Sequence, residues 1–265
     1  MANVPAPFLA APPQSVPLLE VRDLSLSFGG IRALRGVSLG VAEGETVAII
    51  GPNGSGKTSL FNCVSGAYRP SSGAISFAGE SLLGLSPDRV ARRGIARTFQ
   101  NLRLFLALPV IDNLLLDRHL HFRRNLAAAA LRLRGEEIRH RERCEEIVEF
   151  LDLMVHRNMR VADCPYGVQK RVELGRALAM EPRLLLLDEP ASGLTAEEKE
   201  EVAYWLHEMR GRFGVTLLFV EHDLRFASRL AARMIAFDGG EKIAEGTPAE
   251  VQRQPEVARA YLGDA

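Results

Sequence analysis

Gly51-Pro52-Asn53-Gly54-Ser55-Gly56-Lys57-Thr58 spells a complete GxxxxGKT phosphate loop, and the apolar run Val47-Ala48-Ile49-Ile50 stands directly before it. A strand feeding a glycine-rich turn and then a helix is the context such a loop requires. The glycines let successive backbone N–H groups turn inward around phosphate oxygens, Lys57 reaches the outer phosphates, Thr58 can hold magnesium, and the helix that follows presents its positive end. Ser59, next along the chain, belongs to the same expected phosphate-binding set. A glycine-rich turn arising by chance would rarely carry the Lys-Thr pair as well. The loop therefore predicts nucleotide binding.

Composition sets the bounds around that loop. With 265 residues, 47% hydrophobic and 25% charged, the chain can bury one large core or two modest ones. Its 33 basic residues balance 33 acidic ones, so no whole-chain charge draws it to nucleic acid or anionic lipid. Membrane contact should come through a partner, because the apolar runs at 184–187 and 217–220 are strand-sized and far short of the roughly 20 residues that span a bilayer. Residues 1–17, rich in Pro and Ala, lack the charged head and apolar stretch of a secretory signal and read as a disordered lead-in. Cys63, Cys144 and Cys164 are odd in number and far apart, which argues against a disulfide framework and a metal site and for a reducing, cytoplasmic setting.

Outward from the loop the pattern changes three times. Upstream, Leu19-Glu20-Val21, Leu24-Ser25-Leu26-Ser27-Phe28 and Val37-Ser38-Leu39 read as short strands of a small β lobe, and 73–79 suggests another pair. Between 101 and 168 the text turns helical, over 110–120 and about 125–153, and predicts a helical subdomain inserted in the core. Its basic members Arg118, His119, His121, Arg123, Arg124, Arg132 and Arg134 are followed by Glu136, Glu137, Glu142, Glu145 and Glu146, a composition that suits ion pairing on a solvated helix face better than a nucleic-acid surface. Beyond it, helices over 169–180, 196–213 and 224–230 alternate with strands over 184–187, 215–220 and 234–238, and the tail adds a short strand and one helix over 248–261. Strands spaced by helices predict a mostly parallel sheet, with ligands at its carboxyl ends.

Two of those strands end in chemistry. Leu184-Leu185-Leu186-Leu187 delivers Asp188 and Glu189 at its tip, where Asp188 would orient magnesium and Glu189 would polarise a water beside the outer phosphate. Leu217-Leu218-Phe219-Val220 leads to Glu221-His222-Asp223, and His222 stands where it could contact a γ-phosphate and couple to Glu189. Gln100, at the junction of core and insert, offers an amide to both magnesium and water.

In that order, the phosphate loop, Gln100, the insert, Tyr166-Gly167, the strand to Asp188-Glu189, Ala191-Ser192-Gly193-Leu194 and Glu221-His222-Asp223 resemble the motif set of ATP-binding-cassette transporter ATPases over all of 18–265. The resemblance implies an α/β phosphate-loop NTPase core with a small antiparallel β lobe, the helical subdomain 101–168 inserted in it, ATP and Mg2+ as ligands, and ATP hydrolysis. Phe28-Gly29-Gly30-Ile31-Arg32-Ala33-Leu34, the run from Arg97 through Gln100 to Phe105, and the ending Ile243-Ala244-Glu245-Gly246-Thr247-Pro248 with Ala260-Tyr261-Leu262-Gly263 look like the ATPase subunits of branched-chain amino acid importers. By that likeness Phe28 stacks on adenine, Gln100 is the lid glutamine, Asp188 the magnesium acid, Glu189 the catalytic carboxylate and His222 the switch histidine. The stretch after Gln100 would face a membrane permease. The implied partners are a second ATPase subunit, two permease subunits and an extracytoplasmic solute-binding protein, with no nucleic acid; the implied place is the cytoplasmic face of the membrane. Urea, short amides, other amino acids and carboxylates remain open as cargo.

One motif departs from the family pattern. Where the signature runs Leu-Ser-(Gly or Tyr)-Gly-Gln, this chain has Cys164-Pro165-Tyr166-Gly167-Val168 before Gln169. In the family the signature serine and the N–H groups behind it touch the partner's ATP, a role that would fall here to Tyr166, Gly167, Val168 and Gln169. Pro165 offers neither hydroxyl nor N–H. A hydrogen bond to a charged group contributes roughly 1.5–3 kcal/mol, so its loss lowers occupancy or rate at that composite site by about one to two orders of magnitude. Such a defect points to a different chain as partner, and it keeps open a regulatory subunit that binds ATP and hardly turns over.

Overall fold

The computed structural model describes residues 17–98, 103–118 and 126–262; the lead-in up to residue 16 and Gln100 lie outside them. Two compact units form, one from Met1–Ile95 with Arg183–Ala265 and one from Ala96–Pro182.

The first unit holds two sheets. In the four-stranded antiparallel sheet the order is β2 (Ile31–Val41), β1 (Leu19–Phe28), β4 (Ser72–Phe77), β5 (Glu80–Ser81). The two short strands expected within 19–28 are one strand. Asp23 sits in the left-handed region, at φ 47, the pairing to β2 slips around it, and its N–H donates to Ser38 Oγ at 2.8 Å. That bulge re-phases the inward residues, so Val21 and Leu24, three apart, are both buried where a regular pleat would turn one outward.

The second sheet runs β10 (Glu241–Gly246), β9 (Arg233–Asp238), β3 (Thr46–Ile50), β8 (Thr216–Glu221), β7 (Leu184–Asp188), β6 (Ile95–Arg97). β3, β7, β8 and β9 are mutually parallel, as the strand-helix alternation predicts, and β10 turns back antiparallel on β9. Every residue of β3, β7 and β8 is buried. Strands covered on both faces must be apolar throughout, which is why they read as continuous runs. One core joins the two sheets, with Leu19, Leu24 and Ile75 from the first, Ile49, Leu186 and Val220 from the second, and Leu60, Phe61 and Val64 from helix α1 (Lys57–Val64).

Register decides where chemistry can happen. Ile50 pairs with Glu221 and with Ala236, and Asp188 pairs with Val220, so β3, β7 and β8 end at one level. The segments that follow them emerge side by side at the carboxyl edge. Helix α2 (Pro87–Arg92) and strand β6 have no counterpart in the sequence expectations, being too short to show a period.

In the second unit, helices α3 (Val110–Asp117), α4 (Leu126–Phe150) and α5 (Tyr166–Ala179) enclose Val110, Leu114, Ile147, Val148, Leu151, Val172 and Leu178. Gly175 lets α5 approach, since a Cβ there would meet Leu151 at 3.1 Å and Leu114 at 3.3 Å. α4 carries ion pairs about one turn apart, Arg141 with Glu145 and Arg143 with Glu146, made by arginines that follow the basic cluster rather than by its members. Arg118 departs from the solvated-face reading: it is 5% exposed and donates to His140 Nδ1 and to the Ala179 carbonyl. Its length lets the guanidinium close a helix end instead of reaching water. Burial pushes the Cys63 thiol up to about 11 and the Cys144 thiol to about 12, leaving both protonated and inert at neutral pH.

The last helices of the first unit are α6 (Ala196–Phe213), α7 (Leu224–Leu230), α8 (Pro248–Gln252) and α9 (Pro255–Leu262). The single tail helix expected over 248–261 is two, because Pro255 has no N–H to continue the ladder from α8. Among the described residues no helix is long and apolar enough to cross a membrane.

Candidate active site

The phosphate loop leaves β3 at Gly51 and enters α1 at Lys57. Its turn is closed by a hydrogen bond from Ser55 N–H to the Pro52 carbonyl at 3.2 Å, and Gly240 N–H donates to the Ser55 carbonyl at 3.1 Å. Two glycines are dictated by space as well as conformation. A Cβ on Gly51, at φ 149, would lie 2.2 Å from the Phe237 carbonyl oxygen, and one on Gly56, at φ 102, would lie 2.6 Å from that of Ala33. Asn53, Gly54 and Thr58 are exposed, Pro52 and Ser59 half-buried and Ser55 buried, so the loop presents backbone outward and anchors itself inward.

Lys57 is 5% exposed, and its ammonium donates to the Gly51 carbonyl at 2.7 Å, the Pro52 carbonyl at 2.8 Å and Ser55 Oγ at 3.4 Å. Burial pulls its pKa below the usual lysine value, against the opposing pull of Glu189 and Asp188. Both acids at the tip of β7 therefore act on the charge of the ammonium. No side chain caps α1, whose N-cap is Gly56. A helix start with uncapped N–H groups, a buried cation bonded to loop carbonyls and a turn with no room for Cβ atoms fit a polyphosphate.

Asp188 closes β7 and is buried, while Glu189 lies just past it with φ 49. A non-glycine residue in the left-handed region stores strain of about 1–3 kcal/mol and persists where its surroundings over-determine it. Here the Glu189 N–H donates to the Val220 carbonyl at 3.0 Å, which fixes the turn to β8. His222 stands just past β8, with Nδ1 3.7 Å from Glu189 Oε2 and its side chain half exposed. The acid and the histidine anticipated from two separate strands therefore meet.

The residue between them does work that sequence reading left unassigned. Glu221 is 1% exposed; it accepts the Ala191 N–H at 2.9 Å and the His222 N–H at 3.2 Å. Burial pushes its carboxyl above the usual carboxylate range, against those N–H donors, that of Asp223 and the His222 ring. One carboxyl thus ties the loop after Glu189 to the histidine. Asp223 caps α7 through the Arg225 and Phe226 N–H groups and pairs with Lys199 at 2.7 Å. A polar residue at a strand exit signals only that something is bonded there; which loop it reaches depends on the neighbouring strand.

Phe28, at the end of β1, is 48% exposed, and its ring meets that of Tyr68 edge-to-face at 5.2 Å between centroids. Tyr68, unremarked in the sequence, braces an aromatic face left open to solvent. The signature segment lies in the second unit. Pro165 is the N-cap of α5 with no side-chain cap, so the helix begins at Tyr166, three residues before the expected start. Tyr166 is exposed, Gly167 and Gln169 half-buried and Val168 buried, and Gln169 Nε2 donates to the Cys164 carbonyl at 2.9 Å.

A phosphate loop on an inner strand, paired acids at the tip of the second strand over and a histidine past the strand between them define a phosphate-loop nucleotide-binding cassette. The profile of the ABC transporter family matches residues 34–192, and that of the branched-chain amino acid ATP-binding cassette transporter matches residues 241–265. The chain is 39% identical to the high-affinity branched-chain amino acid transport ATP-binding protein LivG of Salmonella typhimurium and 38% identical to BraF, so described too, of Pseudomonas aeruginosa. Each alignment spans 254 residues, 95% of this chain and 100% of the relative. Among solved structures, a nucleotide-free ATP-binding cassette from an ABC transporter matches with a TM-score of 0.83 at 28% identity, and a cassette in its ADP conformation with 0.82 at 27%; each match covers 94% of this chain and 100% of the other. The chain belongs to the ABC transporter family, as one of its ATP-binding cassettes.

Proposed function

We propose that this chain is the ATP-hydrolysing subunit of an importer for branched-chain amino acids. The observation that carries the chemistry is the meeting of Glu189 and His222 at 3.7 Å beside a complete phosphate loop; the cargo follows from the printed descriptions of the relatives and the tail profile.

In this reading the loop N–H groups and Lys57 hold the β- and γ-phosphates of ATP, and Phe28 stacks on the adenine. Thr58 and Asp188, both hard oxygen donors, would hold Mg2+ together with substrate phosphates, an arrangement magnesium prefers to an all-protein cage. The ion supplies Lewis-acid stabilisation of phosphate charge. Glu189 accepts a hydrogen bond from the attacking water and orients it in line with the γ-phosphorus. His222 positions Glu189 and contacts the γ-phosphate, and Gln100 takes the lid role that the family resemblance implies. Tyr166, Gly167, Val168 and Gln169 meet the ATP bound by a second cassette, which is a different chain because Pro165 weakens the signature.

The second unit supplies the surface for a permease. A groove of about 640 Å³ is lined by Phe105, Leu108, Leu115 and Leu116, with Asp112, Asp117 and Arg176 at its polar margin. Phe105 is 51% exposed and Arg176 lies over its ring at 5.2 Å, an apolar seat for one cytoplasmic loop of a permease subunit. Two permease subunits and an extracytoplasmic solute-binding protein complete the assembly at the cytoplasmic face of the membrane.

Glu189→Gln is the test. The variant is expected to retain ATP and to accumulate a closed dimer with its sister cassette, while turnover in the full assembly falls at least about 100-fold. Turnover within threefold of the parent would remove Glu189 from the proposed role, and loss of ATP binding would show that the substitution had damaged the site.

A further inference from the structure

The tail of the chain touches the phosphate loop. β3 pairs with β8 and β9 only as far as Ile50, so the N–H of Gly51 falls outside both ladders. Gly51 is buried, and a buried N–H must find an acceptor. It finds Tyr261, 210 residues away on α9, whose hydroxyl oxygen accepts it at 2.8 Å. The carbonyl of the same glycine accepts the Lys57 ammonium at 2.7 Å. Gly51 is thus held on its donor side by the tail while it holds the loop lysine on its acceptor side. The phenol is itself supported: α8 and α9 bury Val251 and Val257, and Thr247 with Glu250 forms a capping box at the start of α8. Glu221, already bonded to Ala191 and His222, lies close enough to act on the charge of the Tyr261 hydroxyl.

We propose that Tyr261 is a positioning residue for nucleotide: by accepting the Gly51 N–H it holds the entrance of the phosphate loop in the conformation that receives a nucleoside triphosphate. The proposal rests on the reading of this loop as the ATP site. It gives the segment after β10 a part in binding, beyond its use as a family marker. A Tyr261→Phe variant removes the oxygen that accepts the Gly51 N–H and keeps the ring, so the contribution of the hydroxyl is read by itself. Without the acceptor, Gly51 leaves its place more often, and apparent affinity falls in proportion to the fraction of loops still competent. At saturating ATP the bound nucleotide holds the loop itself, and turnover is retained.

The experiment uses the full chain with its sister cassette and permease. ATP affinity of the isolated subunit, the KM and kcat of the assembly, and the melting temperature are measured for wild type, Tyr261→Phe and Val251→Ala. Lys57→Ala sets the non-binding baseline. Tyr261→Phe is expected to raise Kd and KM for ATP about tenfold, the factor one lost hydrogen bond carries, with kcat within about twofold of wild type. Val251→Ala is expected to lower the melting temperature and leave Kd unchanged. Unchanged Kd in Tyr261→Phe, with wild type binding ATP, overturns the positioning role alone; so does an equal rise in Val251→Ala, which would mean the tail acts only through general stability. Wild type no better than Lys57→Ala would instead overturn the reading of the loop as an ATP site.

Discussion

Replacing Glu221 with Gln should remove a pH-dependent loss of stability, so that the variant gains on wild type between pH 4 and pH 8. The carboxyl is 1% exposed, and burial holds its folded pKa above the ordinary value of 4.5. In the unfolded chain the same group ionises through 4.5. Between that value and the raised folded one the folded state binds more protons than the unfolded state, so wild-type stability falls as pH rises through the window and then levels off. Every unit by which the folded pKa is raised corresponds to about 1.4 kcal/mol. Gln has no proton to lose, but it offers one acceptor oxygen where Glu221 uses both, one for Ala191 and one for His222, so the variant also carries a pH-independent cost of about 1–3 kcal/mol for the N–H left unpaired. The variant should therefore be least stable relative to wild type below 4.5 and gain on it across the window by about 1.4 kcal/mol per unit of raised pKa, or ~2–4 °C in melting temperature per kcal/mol for a chain of this size. Urea and thermal unfolding of both proteins between pH 4 and pH 8 measure the difference directly. A difference that stays constant with pH, or a deficit in the variant that grows with pH, would refute the reasoning: the Ala191 and His222 N–H groups would then outweigh burial and hold the folded carboxyl at or below its ordinary pKa.

Removing the ring in Phe28→Ala should weaken ATP binding by about 1–3 kcal/mol, the range for stacking a base on an aromatic side chain, with a smaller effect for Phe28→Tyr; equal affinities by calorimetry would place the adenine elsewhere. Pro165→Ser supplies the hydroxyl that the start of α5 lacks. It should stabilise the protein by about 0.5–2 kcal/mol as an N-cap and raise turnover in the assembled transporter, whereas a rise in melting temperature with unchanged turnover would assign the rate limit away from the signature.

Much of this architecture could be read directly. β3, β7 and β8 announce themselves as apolar runs because strands covered on both faces have no polar positions, and the phosphate loop is legible because its backbone geometry admits few residues. Local chemistry also misled where it depends on surroundings. Residues 19–28 look like two strands because the bulge at Asp23 breaks their alternation, yet hydrogen bonds across to β2 and β4 carry one strand through it. Arg118 looks like one of a run of solvated cations, and is buried against His140 and the end of α5. The tail looks like one helix by its length, and Pro255, with no N–H to donate, divides it into α8 and α9.

The sequence by itself determined which residues could do chemistry here: a loop that only glycine can line, a lysine to follow it, two acids and a histidine at the ends of strands that cannot tolerate water. Those properties are local, set by backbone sterics and by the period of apolar residues. Only the tertiary structure decided which of them meet. Glu189 reaches His222 because β7 and β8 pair in a register that ends them together, Glu221 ties Ala191 to His222 because its carboxyl is closed between them, and Gly51 finds Tyr261 because β3 runs out of ladder where the tail returns. Each is a contact between segments distant along the chain, fixed by pairing and burial that no single stretch of sequence contains.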